Sequence, residues 1–591
     1  MEDAHENSVE RSAARSRAQR NVESRVWTSG ARPGSALLIS AYFLFIFLFV
    51  SLKGNFPLND DWSYGEGVRG FVQTGRLIMP TVCAAGFTHI FLGAVGCKIF
   101  GFSYVVLRAV VFVWAIIGSF ALYGALIQTG IRRGAAVFCS LVYACNPIIV
   151  NLYFSFMSDV TALSLVNIYL YLLLRACRKN SVNLALLSIV ALTLAVGARQ
   201  SAIIFLPCNL SLLALKIDNR RLLSWVLIAS VAIPVLSYIG MDQWLIHRSF
   251  SVHDYIDVKE GHWQLVQNML RLPVHGLHAF IVAMGESACY LGLFCLPVLL
   301  SILLQGRKIL TKYAPYLWHW LLMAGCMVMI SANQLVIAQS KLMPFNQNLL
   351  RLPMVCALTI MGLNMPLLSG KTLRWITMLS FVLAFVLLAA LGAMLQMLVV
   401  KLIKYIKAKT GSRRQLAIIW ICVVAALIST IFSAAETIIR CTDRYYLIAL
   451  APLLLSLAIV MRRLKLKIVQ PPSVIALLLI AIYSACAAQD YLGWNRARWT
   501  GLERLEARGI PSTQIDGGYE YNTLRDIKIY DSANHGLPPR NAWRWWPVKG
   551  ENYIVSFSPI PDYKVVDRLP YWSALGFKAR EVLILQSEDK N

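Results

Sequence analysis

The sequence predicts an all-α polytopic membrane protein, with about 13 transmembrane helices and a small C-terminal α/β extracytoplasmic domain. Three observations carry that prediction. Of 591 residues, 58% are hydrophobic and 15% charged, with a mean hydropathy of +0.59, against roughly 45–50% and about 25% in soluble domains. Apolar runs long enough to cross a bilayer, or nearly so, recur along the chain. From residue 489 the composition shifts to 14 basic and 13 acidic residues with Gly and Pro punctuation. A soluble protein is thereby excluded. The excess of 56 Lys and Arg over 30 Asp and Glu reads as topology rather than nucleic-acid binding.

Residues 1–34 hold six Arg and five acids and read as a disordered cytoplasmic tail. The apolar core that follows starts too late for a signal peptide and reads as a retained anchor. The apolar runs lie near 35–52, 103–127, 134–152, 160–174, 184–198, 200–215, 222–240, 276–304, 314–338, 375–399, 415–433, 445–460 and 473–488. With a cytoplasmic N-terminus, the inner loops 128–133, 175–183, 216–221, 305–313, 400–414 and 461–470 collect 21 Lys and Arg against one acid, Asp218. The outer stretch from Asp242 to His275 has mixed charge. This obeys the positive-inside rule at every turn. Met354–Leu368, interrupted by Asn364 and Pro366, is read as an outer re-entrant or interfacial helix. A crossing there would turn the basic stretch Lys401–Arg414 outward. The predicted location is a multi-pass bacterial inner membrane, with residues 35–488 as its membrane domain and residues 489–591 outside.

In that tail a helix is expected over Trp494–Arg508, with strands near Tyr553–Phe557 and Val582–Gln586. It contains no catalytic motif. The 13 Cys sit mostly inside apolar runs and read as buried packing residues, with Cys83 and Cys97 sharing an outer loop. No Cys or His spacing specifies a metal finger. His247, His253, His262, His275 and His278 crowd one outer loop, where interfacial placement explains them better than a metal site.

The charges near hydrocarbon are more telling, because each is costly there. Arg108, Asp159, Arg199, Glu286, Glu436, Asp443 and Arg444 all fall near the outer ends of their spans, and the first outer loop, 53–102, adds Asp60 and Asp61. They describe a polar layer at the outer boundary, whereas a coupled transporter places such groups nearer the midplane. Asp60 and Asp61 are adjacent carboxylates that repel, so that one is a candidate general base; the structural alternative is a helix N-cap at Asn59 or Asp60. Asp159 opens the fourth span, as an N-cap or as a second acid facing the cavity. Arg199 needs an anion, either Asp159 or a ligand phosphate. Asp443 and Arg444 present the same choice, and Tyr445 and Tyr446 fit an aromatic belt.

The order and sidedness of these motifs resemble the GT-C superfamily of polyprenyl-phosphate-sugar-dependent glycosyltransferases. The nearest groups are family 39, with its dolichyl-phosphate-mannose protein mannosyltransferase-like bacterial proteins, and the lipid A aminoarabinose transferases. The likeness runs over residues 35–465 and is carried by Asp60–Asp61 in the first loop, SDVTALSL at Asp159, GARQSA at Arg199 and DRYYLIALAP at Arg444. It implies transfer of a hexosyl or pentosyl group from a polyprenyl-monophosphate donor, with inversion, to a protein, glycolipid or polysaccharide acceptor of the cell envelope. By position it assigns the base to Asp60, with Asp61 as alternative, places Asp159 in the same cavity, and gives the donor phosphate to Arg199 and Arg444. The first-loop pair departs from the common Asp-Glu, and Arg199 stands where many relatives have Lys. No cofactor is implied, and a divalent metal stays open. The competing functional classes are a lipid or polysaccharide transporter, for which inner-half ionisable residues and inverted repeats are missing from the sequence, and a membrane-anchored interaction protein, for which so many spans are excessive.

Overall fold

The computed structural model describes residues 33–77, 86–216, 219–248, 273–343, 370–408, 412–439, 442–525 and 550–588, with single positions at 260, 263, 264, 267, 360 and 548. The predicted tail up to residue 32, Cys83, His253, His262 and, apart from Ile360, the re-entrant segment Met354–Leu368 lie outside the described residues.

All thirteen apolar runs are helical, but their lengths differ. In chain order the helices are α1 (Pro33–Phe49), α2 (Asp61–Thr74), α3 (Phe87–Phe100), α4 (Tyr104–Gln128), α5 (Arg133–Ala144), α6 (Pro147–Tyr153), α7 (Ser158–Lys179), α8 (Val182–Ala198) and a 3₁₀ helix (Gln200–Ala214). Then come α9 (Arg220–Arg248), α10 (Pro273–Phe294), α11 (Leu296–Leu303), α12 (Gly306–Ala332), α13 (Gly370–Ala408), α14 (Arg413–Ile439), α15 (Leu447–Arg463), α16 (Pro471–Ala507) and α17 (Tyr519–Arg525). Among the described residues nine helices are long and apolar enough to cross, or ten if α5 and α6, bent by 69° at their break, form one span. The other three runs are α1, α8 and the 3₁₀ helix, all shorter. The sequence count of about 13 therefore counted apolar runs, and nine to ten of these meet the length of a full span. In the 3₁₀ helix a rise of roughly 2 Å per residue lets its 15 residues reach about 30 Å despite the short count.

Two regions of the sequence reading change. The first outer loop is half helix, since α2 and α3 lie within 53–102, and α3 exposes Phe91, Ile99 and Phe100 on an apolar face. The last span does not stop at residue 488. Helix α16 runs unbroken for 37 residues, roughly 55 Å at 1.5 Å per residue, well beyond the roughly 30 Å hydrocarbon core. Its extension carries a four-stranded sheet of order β1 (Ile515–Asp516), β2 (Tyr553–Ser556), β4 (Lys578–Ser587), β3 (Tyr563–Ser573), parallel only at β1–β2. Leu569 and Ile584 crowd Gly501, where a Cβ would fall 2.3 Å from Leu569. Asp490 accepts a 2.6 Å bond from Ser573 Oγ. The strand expectations at 553–557 and 582–586 are met, and β3 is an addition.

The loops sort to two ends. At one end Arg462 Nη1 donates to the Thr129 carbonyl (2.6 Å), Arg178 to Gln128 (2.9 Å), Asn180 to Lys216 (2.9 Å) and Lys308 to Lys465 (2.9 Å). These are the loops the positive-inside rule grouped together. At the other end the first loop meets the C-terminal region, through Tyr519 and Asp60. The most enclosed spans are α15 with its preceding turn, 89% buried over its apolar window, and α7, 78% buried; α9 and α12 are 17% buried and peripheral. The enclosed pair carries Asp159, Asp443 and Arg444.

Candidate functional site

Helix α7 begins at Ser158, and Met157 occupies its cap position with no side-chain cap bond. The carboxylate of Asp159 is therefore not spent on capping. It pairs with the Arg199 guanidinium. Arg199 is placed by Gly197, two residues earlier at the end of α8: a Cβ there would fall 2.4 Å from Thr88 Oγ1 of α3, so this close helix crossing needs a residue without a side chain. The N-cap alternative for Asp159 thus gives way to ion pairing.

Asp60 occupies the cap position of α2, following Asn59 in a left-handed conformation (φ 54°), but it makes no cap bond. Its Oδ2 lies 3.4 Å from Arg444 Nη2, and its Oδ1 accepts from Tyr519 Oη at 3.0 Å. Arg444 comes from the 3₁₀ turn Asp443–Tyr446 that leads into α15. Its Nε and Nη1 are buried with no hydrogen-bond partner among the described residues. The Arg199 and Arg444 guanidinium carbons lie 5.3 and 5.6 Å from the Tyr445 ring centroid, a cation–π distance. Tyr445 is therefore part of the cluster and not only a membrane belt. Arg444 also lies within electrostatic reach of both Asp60 and Asp159, and Arg199 within reach of Arg444.

Asp61 stands apart from its neighbour. It is wholly buried, its Oδ2 accepting from Leu58 N–H at 3.3 Å. Burial pushes its carboxyl up to about 8, against the pull of the Phe156 amide and the Arg108 guanidinium. Near neutral pH it is mostly uncharged. Arg108, also fully buried, fixes the loop ahead of it by donating to the carbonyls of Gly54 (2.8 Å) and Phe56. Nearby, His89 bridges Thr161 Oγ1 (2.9 Å) and the Phe156 carbonyl (3.0 Å), and Ser158 Oγ bonds Tyr64 Oη (3.3 Å), tying α2 and α3 to the start of α7.

Of the five residues singled out in the sequence, Asp60, Asp159, Arg199 and Arg444 converge, and Asp61 lies beneath Asp60 as a buried neighbour. Sequence reasoning missed Tyr519 and Glu520. The only signal was Gly517–Gly518, a turn ahead of an aromatic–acid pair. Beside the first loop, Phe71, Leu77, Phe87, Ile90, Phe91 and Leu194 line an open apolar cleft of about 320 Å³. Among the described residues no group of three or more His, Cys, Asp or Glu is placed to hold a metal ion, and Cys97 is a buried free thiol.

Residues 86–239 match the family model described as dolichyl-phosphate-mannose-protein mannosyltransferase. Nothing among curated proteins matches the chain in sequence. Among solved structures it is similar to the S. cerevisiae protein O-mannosyltransferase Pmt1-Pmt2 complex bound to the sugar donor, at 14% identity and TM-score 0.30, over 36% of this chain and 33% of that one. It therefore spans about a third of that yeast chain. It is also similar to ArnT from Cupriavidus metallidurans bound to undecaprenyl phosphate, at 14% identity and TM-score 0.36, over 94% of this chain and 98% of that one. Over residues 86–239, the chain resembles the dolichyl-phosphate-mannose-protein mannosyltransferases, one of the groups its motifs suggested.

Proposed function

We propose that this integral membrane protein is a glycosyltransferase that moves a sugar from a polyprenyl-monophosphate donor to an acceptor on the outer face of the membrane, with inversion. The observation that carries the reading is the convergence of Asp60, Arg444, Tyr445, Arg199 and Asp159 from four distant stretches of chain. The acceptor hydroxyl or amine gives its proton to Asp60 as its oxygen or nitrogen attacks the anomeric carbon. The bond from that carbon to the phosphate oxygen breaks, and polyprenyl phosphate leaves with the electron pair. A phosphate is already a good leaving group, so a base and a cation suffice. Arg444, with two buried nitrogens unpartnered among the described residues, suits the growing charge on the phosphate; Arg199 shares that task with its pairing to Asp159. The apolar cleft beside α3 and α8 suits an isoprenoid chain.

The test is to incubate the purified protein with a panel of polyprenyl-monophosphate sugars carrying hexoses or pentoses, together with protein, glycolipid and polysaccharide acceptors. Release of polyprenyl phosphate coupled to sugar on an acceptor is the expected result. Movement of intact lipid across a sealed vesicle without cleavage would instead favour a transporter.

A further inference from the structure

The C-terminal region reaches the first loop at the residue proposed as base. Tyr519 Oη donates to Asp60 Oδ1 at 3.0 Å, while Arg444 approaches Oδ2. One residue on, Glu520 Oε1 accepts from the Asn59 amide at 2.8 Å. Its other oxygen, Oε2, accepts from Arg498 Nη1 at 2.8 Å, and both side chains are fully buried. Arg498 Nε in turn donates to the Gly517 carbonyl at 2.8 Å, so the ion pair is rooted in the extension of α16. Asn59 is the left-handed residue that turns the chain into α2, a conformation non-glycine residues adopt seldom. Its amide is held where the turn delivers Asp60. Tyr519 also packs on Trp62, two residues past Asp60.

We propose that Tyr519 is a positioning residue for Asp60 and that Glu520 clamps the turn presenting it, making the C-terminal region a working part of the site. The proposal rests on the base role given to Asp60. A carboxylate that accepts a proton during attack has to be oriented before the acceptor arrives. Two donors on opposite oxygens fix the plane of this one, and each oxygen keeps further acceptor capacity. Removing the phenol oxygen leaves Arg444 as the one remaining donor to it among the described residues, so the carboxylate can rotate. Donor binding, which depends on Arg444 and Arg199, is not touched.

The test uses the full-length protein and whichever polyprenyl-monophosphate sugar is turned over. Tyr519→Phe removes one oxygen and should lower kcat about 10- to 100-fold, with donor KM within about twofold and Tm unchanged. Added to Asp60→Asn it should cause no further loss, because residues acting as a unit are not additive. Wild-type kcat in Tyr519→Phe, or a loss confined to Tm, would overturn the positioning role. The clamp is read without substrate, by hydrogen exchange of a peptide covering residues 56–62, which should quicken in Glu520→Ala. Since Glu520→Ala strands a buried Arg498, the pair Arg498→Met/Glu520→Leu, an apolar replacement of similar volume, is the second variant and should quicken exchange equally. Unchanged exchange in the folded double variant would overturn the clamp. A fully active Asp60→Asn would sink the base reading and the positioning role with it, while the exchange measurement still decides the clamp by itself.

Discussion

The two polar ends of the helix bundle use the same cationic residues for different ends. At the basic end Arg462, Arg178 and Lys308 donate to main-chain carbonyls of neighbouring loops, the groups that helix C-termini leave unsatisfied. Those cations join one helix end to the next. At the site end Arg199 and Arg444 meet carboxylates and an aromatic ring, and Arg444 keeps two buried nitrogens unpartnered among the described residues. The difference teaches how to separate a structural cation from a chemical one. Arg462 and Arg178 donate to backbone carbonyls, whereas Arg444 is held by a few partners in a buried setting and has donor capacity left over.

Five substitutions test that contrast, in falling order of their effect on sugar transfer. Asp60→Asn removes the proposed base and should slow transfer about 10²- to 10⁴-fold, with donor affinity kept; turnover near wild type in the assay of polyprenyl phosphate release would refute the assignment. Arg444→Gln should weaken donor affinity by about 1.5–3 kcal/mol, the worth of a charge-assisted hydrogen bond, with Arg444→Lys falling between. Equal donor affinity in wild type and Arg444→Gln would remove the phosphate role. Arg199→Gln differs by stranding the buried Asp159, so it should lower Tm as well. Adding Asp159→Asn should restore Tm without restoring donor affinity.

Asp61→Asn should matter less to transfer than Asp60→Asn and more to the pH dependence of stability. The folded carboxyl titrates at about 8, above an unfolded value of about 3.9. Between those values the folded state binds more protons than the unfolded one, so the stabilising contribution of Asp61 is full at low pH and is lost as pH rises towards 8. Thermal unfolding from pH 4 to 8 should show that decline in wild type and a flatter profile in Asp61→Asn. Profiles of equal slope would show that Asp61 is not buried as described. Smallest of all for transfer is Arg462→Gln at the basic end, which should cost about 1–2 kcal/mol of stability and leave kcat unaltered; a fall in kcat there would break the division between the two ends.

The Asp60–Asp61 pair shows where sequence reading stops. Both residues were legible as candidates, because a carboxylate pair beside an apolar anchor is a local pattern. That Asp61 is the one pushed towards neutrality was not legible, since it depends on cover by Phe156, from the link between α6 and α7, and by Arg108 of α4. Tyr519 was further out of reach, because it is 459 residues from Asp60 along the chain and its own neighbourhood carries no periodicity or motif. Strand β3, YKVVDRLPYWS, alternates poorly and was missed for the same reason: pairing with β4, rather than its own pattern, makes it a strand.

The sequence alone was enough for the membrane character, the positions of the thirteen apolar runs that are helical, the grouping of basic loops at one end and the charges gathered at the other. Hydrophobicity and charge act through the solvent and the bilayer, so their consequences can be read residue by residue. Tertiary structure alone decided the helix lengths, the continuation of α16 into the C-terminal sheet, the pairing of Asp159 with Arg199, the burial of Asp61 and the reach of Tyr519 and Glu520 into the first loop. Those depend on which surfaces exclude water from one another, and that is settled only when distant parts of the chain pack together.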